Sequence, residues 1–283
     1  MSVDQATRLR QLVAVTRARA RVVAVTSGKG GVGKSNIALN LAIAAAEYNR
    51  RVILIDADLG LANLDVLCGV TPAFGLGDVI SGKKRLYEVA TSTPFGVDLV
   101  AGASGISYLA DLPDEDRMRL LAQLEVLERE ADLVVIDTGA GVARNVVKIA
   151  AAADETLVVT TPEPTSVTDA YAAVKLVSRE REHGTIALVV NQALSRDEAL
   201  RTGARIASVA RQFLRVEIEQ AGYVVADPHL ARAVRMRRPL VEAFPASPAA
   251  MCLKAIARRY QKRPAPGPAG SGFMDRLKRI FGR

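Results

Sequence analysis

The chain has 283 residues, of which 49% are hydrophobic and 24% charged, with a net charge of +8. That is ample apolar material for a large core and excludes bulk disorder. Cys68, Cys252, His183 and His229 are all the cysteines and histidines; their spacing builds no zinc or self-contained iron–sulfur site.

No stretch has the length and apolarity of a spanning helix or the make-up of a signal peptide, so a cytoplasmic protein in a reducing compartment is expected. The positive charge is concentrated at the ends. Residues 254–283 carry nine Lys/Arg against Asp275 alone, residues 1–21 carry five Arg against Asp4, and the body between them is mildly acidic. Basic ends on an acidic body predict tails that meet an anionic partner.

In chain order, Val3, Ala6, Leu9 and Val13 recur at helical spacing behind Asp4, a candidate cap. A helix this short is marginal alone in water and must dock, either on the body or on a partner. An apolar run, Val22–Thr26, then leads into Gly28-Lys29-Gly30-Gly31-Val32-Gly33-Lys34-Ser35, and a helical segment over 36–47 follows. G-x-x-x-x-G-K-[ST] between a strand and a helix is a phosphate-binding loop. Glycines let the backbone N–H groups from Gly28 to Asn36 turn toward phosphate oxygens, Lys34 reaches the β- and γ-phosphates, and Ser35 ligates Mg²⁺. A merely flexible glycine turn would require neither the Lys-Ser pair nor both flanking elements.

Further apolar runs fall at 52–55, 97–100, 133–136, 156–160 and 186–190, with helical periodicity over 114–129, 167–182 and 198–213. Continuous rather than alternating apolar strands imply burial on both faces. The predicted fold is therefore α/β, a P-loop NTPase with a mainly parallel twisted sheet flanked by helices on both faces. Functional residues then belong in loops at the carboxyl ends of strands. Asp56 and Asp58 end the second run and are spaced to face one Mg²⁺–phosphate site, although Asp56 could equally be a helix cap. Asp137 ends another run in Val-Ile-Asp-Thr-Gly-Ala-Gly, the arrangement in which an aspartate orients Mg²⁺ or its waters. Thr160–Thr165 and Val189–Gln192 end two more strands; Asn191 reads either as an adenine contact or as a turn residue. The Arg232–Arg238 cluster lacks interleaved aromatics and reads as a solvated helix face.

Residues 263–271 form a Pro/Gly linker by composition. Beyond it, Phe273, Met274, Leu277, Ile280 and Phe281 share one helical arc, with Arg276, Lys278, Arg279 and Arg283 on the rest. That pattern favours an interfacial membrane helix on an anionic surface over docking on the body or in a protein groove. Four segments result: 1–21, a short helix; 22–262, the nucleotide-binding body; 263–271, a tether; and 272–283, the amphipathic end.

Together these motifs resemble the MinD/ParA family of deviant-Walker ATPases over about Val22 to Tyr260, the extra lysine at Lys29 being the first mark. The resemblance implies ATP and Mg²⁺ as cofactors and an ATP-sandwich homodimer in which Lys29 reaches the partner's phosphates. It also implies that Asp58 positions the attacking water in switch I and that Asp137, a metal residue with Ser35 and Asp56, opens switch II. With no evident arginine finger, slow basal hydrolysis is expected.

Within the family, 4–10 (Asp-Gln-Ala-Thr-Arg-Leu-Arg), 58–65 and 137–141 are similar to stretches of the flagellar-number regulators. That similarity implies stimulation of a signal-recognition-type GTPase, FlhF, through Asp4, Gln5, Ala6, Leu9 and Arg10. It further implies contact with flagellar C-ring components, in some members with a transcriptional activator, and reversible attachment to the inner face of the cell membrane in the ATP-bound dimer. A ParA-type partitioning ATPase is disfavoured by the amphipathic end, so nucleic acid is not an expected partner. A division-site MinD-type regulator is disfavoured by the 4–10 motif, and a cluster-carrier ATPase lacks an evident cysteine pair.

Overall fold

The computed structural model describes residues 19–48, 50–58, 63–102, 112–181, 184–262 and 272–281. The predicted partner segment with Asp4, Gln5, Ala6, Leu9 and Arg10, and the linker 263–271, lie outside the described residues.

The elements run β1 (Arg21–Ser27), α1 (Lys34–Ala46), β2 (Val52–Ala57), α2 (Leu64–Cys68), α3 (Leu76–Ile80), α4 (Leu86–Val89), β3 (Ala90–Ser92) and β4 (Val97–Val100). They continue with α5 (Asp114–Glu130), β5 (Leu133–Ala140), α6 (Arg144–Ala152), β6 (Glu155–Thr160), α7 (Pro164–Glu180), β7 (Thr185–Ala193) and α8 (Arg196–Leu214). Last come β8 (Glu219–Val225), α9 (Pro228–Arg235), α10 (Leu240–Ala243), α11 (Pro248–Ala257) and α12 (Phe273–Phe281).

One eight-stranded sheet has the order β3-β4-β2-β5-β1-β6-β7-β8. Every described pairing is parallel except β3 with β4. The expected doubly covered sheet is present, and the strands show why. Val22 and Ala24 of β1 and Val134 and Ile136 of β5 join the core cluster that also takes residues of α5, α6 and α12. Their neighbours Val23, Val25, Leu133 and Val135 join the cluster that takes residues of α1 and α11. Side chains alternate faces with period two, and both faces are apolar because both are buried.

Two strands had no counterpart in the expectation. β3 is three residues long, too short for a periodicity signal. β8, Glu-Gln-Ala-Gly-Tyr-Val-Val, pairs only with β7 among the described residues, and an edge strand tolerates the polar start that hides it. The helices predicted over 36–47, 114–129, 167–182 and 198–213 are present with ends moved by at most a turn. α8, for example, starts at Arg196, where the Ser195 hydroxyl accepts the Glu198 N–H (3.2 Å) and Glu198 accepts the Leu194 N–H (2.6 Å). Such a reciprocal cap fixes a helix start.

Candidate functional site

β1, β2, β5, β6 and β7 deliver their loops to one end of the sheet. The register sets Asp56 beside Asp137 across β2 and β5, and Asp137 beside Val25 across β5 and β1. The result is a cleft of ≈ 760 Å³ whose walls include Lys29, Gly30, Gly31, Lys34, Ser35, Asn36, Asp58 and Gly139. Apolar groups that sequence reasoning did not single out, Val66, Leu67, Val146 and Val234, complete the lining.

The loop's shape is enforced from outside. A Cβ on Gly28 would lie 2.0 Å from the carbonyl oxygen of Asp169 in α7, so only glycine lets that helix come so close. Gly33 has φ +88°, and a Cβ there would meet the Asn191 amide nitrogen at 2.3 Å. That nitrogen donates to the Val32 carbonyl (2.8 Å). From β7 the Asn191 side chain thus braces the phosphate loop.

Lys34 is 6% exposed, and its Nζ donates to Asp137 Oδ1 (2.6 Å), lies 3.6 Å from Asp58 Oδ2 and reaches Ser35 Oγ (3.4 Å). The sequence-derived residues Lys34, Ser35, Asp58 and Asp137 therefore converge. Burial pushes the Asp137 carboxyl upward, and the ammonium of Lys34 works against that push.

Asp56, expected among the metal residues, has a carboxylate that accepts the backbone N–H groups of Asp58 (3.2 Å), Asn63 (3.1 Å) and Leu64 (3.2 Å). It caps the start of α2 and holds Asn63 and Leu64 to the end of β2. Burial first, and the neighbouring Asp137 charge second, push its carboxyl up to about 6.

Lys29, the lysine that distinguishes this loop, is half exposed and has partners other than those of Lys34. Its Nζ pairs with Glu163 Oε2 (3.2 Å) and donates to Thr165 Oγ1 (3.1 Å). Both lie just after β6, in the stretch the sequence marked as a strand end without assigning it a role.

The five residues expected on a membrane, Phe273, Met274, Leu277, Ile280 and Phe281, are all buried, and α12 lies on α5 and α6. Arg276, expected on the polar side, is 4% exposed; its Nε donates to the Ala152 carbonyl (2.6 Å) and its guanidinium pairs with Asp154. At the start of α12 the buried carboxylate of Glu128 accepts the N–H groups of Phe273 (3.0 Å) and Met274 (3.2 Å). At its end the buried Lys148 donates to the Ile280 carbonyl (2.8 Å) and sits over the Phe281 ring. A negative group at the N-terminus and a positive one at the C-terminus both oppose the unpaired ends of the helix dipole. The sequence favoured a membrane surface over the body for this face; in this structure the body holds it. No helix among the described residues is long and apolar enough to cross a membrane.

The CobQ/CobB/MinD/ParA nucleotide binding domain matches residues 23–240. The antiactivator FleN of Pseudomonas aeruginosa is 41% identical over 260 residues, covering 91% of this chain and 93% of that protein. The flagellum site-determining protein YlxH of Helicobacter pylori is 32% identical over 251 residues, covering 86% and 85% respectively. Among solved structures, the septum site-determining protein MinD of Pyrococcus horikoshii, complexed with Mg-ADP, superposes with a TM-score of 0.69 at 23% identity, over 86% of this chain and 96% of that one. That likeness shows the fold. The matched span runs from β1 to the first residue of α10 and contains the whole cleft, so this chain belongs to the CobQ/CobB/MinD/ParA nucleotide-binding domain family.

Proposed function

We propose that the protein is a Mg²⁺-dependent ATPase that works as a switch in setting the number or placement of flagella. In this reading ATP joins two subunits face to face, which sends the C-terminal helix to the membrane, and the N-terminal segment separately acts on an FlhF-type GTPase. The flagellar part rests on the likeness to FleN and YlxH along most of each chain.

The observation that carries the ATPase reading is the cluster at Lys34. Asp137 and Asp58 close on its ammonium at 2.6 and 3.6 Å, with Ser35 Oγ at 3.4 Å. A buried cation with hard oxygen donors beside it, in a cleft lined by a glycine-rich loop, suits a phosphate chain with its metal. Among the described residues no group of three or more His, Cys, Asp or Glu would hold a metal unaided. That fits Mg²⁺, which binds through one or two protein oxygens plus the phosphates. Ser35 and Asp137 would hold it, and bound there it neutralises charge on the phosphate oxygens.

The chain's own residues supply the rest. Lys34 exchanges Asp137 for phosphate oxygens, and the loop N–H groups fix the phosphates in place. Asp58, released from Lys34, orients a water in line with the terminal phosphate. Lys29 leaves Glu163 and Thr165 and reaches the phosphates of the second subunit. Hydrolysis is slow, since among the described residues no arginine lines the cleft to add its charge to that of the metal and these lysines.

The test is hydrolysis and mass measured together. Asp58→Ala should bind ATP, form a dimer and turn over at least a hundredfold more slowly, because one positioning group contributes about 10²–10⁴. Lys29→Ala should remain a monomer with ATP. Wild-type turnover by Asp58→Ala would remove that residue from the reading.

A further inference from the structure

The described chain begins where the docked α12 begins. The Ala20 N–H donates to the Glu128 carbonyl (2.8 Å), and Arg19 Nη1 lies 3.6 Å from Asp275. The N-terminal segment therefore joins the body at the end of the groove between α5 and α6 that holds the start of α12.

Its sequence repeats what that groove holds. Arg8-Leu9-Arg10-Gln11-Leu12-Val13 runs parallel to Arg276-Leu277-Lys278-Arg279-Ile280-Phe281, with matching chemistry at every place but Gln11. The one mismatch falls opposite Arg279, which is exposed, whereas Arg276, Leu277, Ile280 and Phe281 are buried.

We propose that residues 5–13 are a second occupant of this groove, taking the place of α12 when that helix leaves. Electrostatics fixes the direction. Glu128 requires helix N–H groups and Lys148 requires a helix carbonyl, so Gln5 and Ala6 meet Glu128 and the Val13 end meets Lys148. Arg8 then takes the place of Arg276 at Asp154 and the Ala152 carbonyl, and Arg10 that of Lys278 at Glu125.

The tether is long enough. A helix from the fifth to the thirteenth residue spans about 12 Å. The six steps from Val13 back to Arg19 reach about 20 Å when extended. Affinity fixes the order. Gln5, Ala6 and Val13 are smaller or more polar than Phe273, Met274 and Phe281, so α12 wins whenever it is present. The proposed partner residues Leu9 and Arg10 are then available while α12 is docked and covered once it has gone. That last consequence rests on the function proposed above; the exchange itself does not.

The test is amide hydrogen exchange of α5 and α6 in the full-length chain, in lipid-free buffer without nucleotide, so that failure here leaves the membrane reading standing. Leu9→Glu alone should leave exchange within twofold of wild type, because α12 occupies the groove. Leu277→Glu should expel α12 yet keep most of the protection. Adding Leu9→Glu to it should then raise exchange at least tenfold. Arg276→Glu, with and without Leu9→Glu, gives the same comparison should Leu277→Glu impair folding. Equal exchange in the single and double variants would overturn the proposal, as would a large effect of Leu9→Glu alone.

Discussion

The cleft and the groove both bury charge, but they balance it differently. In the cleft, Asp56, Asp58 and Asp137 gather around one ammonium, Lys34. Asp56 spends its oxygens on backbone N–H groups, and the remaining set stays short of positive charge. In the groove every buried charge meets its complement: Glu128 the helix N–H groups, Lys148 a helix carbonyl, Arg276 the carboxylate of Asp154. A site with surplus carboxylate is completed by adding a cation with its phosphates. A site already neutral changes only when its occupant is exchanged. The two regions are joined by α6. Val146 lines the cleft, Lys148 on the same helix caps α12, and the carbonyl of Ala152 takes Arg276. A shift of the loop after β5 therefore has a direct route to the C-terminal helix.

Removing the cleft's one buried cation should have the largest effect. Lys34→Ala leaves Asp137 without its partner, which costs about 3–5 kcal/mol if the carboxylate stays charged. Nucleotide binding, read by calorimetry, should fall at least a hundredfold, and the melting temperature should drop more at pH 8 than at pH 5.

The surplus carboxylate should also show in the wild type. Asp56 lies near 6 in the folded chain against an ordinary 3.8. A raised carboxyl stabilises the fold fully below the unfolded value and loses that contribution as pH climbs through the folded one. Stability relative to Asp56→Asn should therefore fall by about 2 kcal/mol between pH 4 and pH 7. Parallel urea curves for the two proteins over that range would refute this.

The groove should respond more mildly. Glu128→Gln keeps a hydrogen-bond acceptor at the start of α12 but removes its charge, and a charged cap contributes about 1–2 kcal/mol beyond a neutral one. Exchange of the α12 amides should rise roughly tenfold while those of β1 and β5 stay unchanged.

The smallest stability effect belongs to Glu163→Ala. Its bond to Lys29 is an exposed ion pair, worth about 0–1 kcal/mol, so the melting curve should hardly move. If that bond holds Lys29 back, dimerisation with ATP should become tighter, as sedimentation velocity would report.

The cleft was far more legible in the sequence than the groove. Lys34, Ser35, Asp58 and Asp137 were found because phosphate chemistry demands particular residues at particular strand ends, and such spacing survives any packing around it. The cap made by Asp56 was not legible, because a carboxylate at a strand end looks the same whether it faces a metal or caps the next helix; the Asn63 and Leu64 N–H groups show the cap. The resting partners of Lys29 were missed because Glu163 and Thr165 meet it across 134 and 136 positions of chain, and no local pattern reports such a pairing. α12 was recognised as amphipathic at once, but periodicity says only that a face must be covered. What covers it depended on Glu128, Lys148 and Asp154, all more than a hundred positions away in the chain.

Whether nucleotide state in the cleft governs the occupant of the groove is best tested by liposome sedimentation of Asp58→Ala. The chain should be compared at full length and ending at Pro264, on vesicles with anionic lipid, with ATP or with ADP. The account expects the full-length chain to pellet with ATP and to stay in the supernatant with ADP, while the shortened chain stays in the supernatant throughout. Equal pelleting of the two lengths, or of the two nucleotide states, would contradict it.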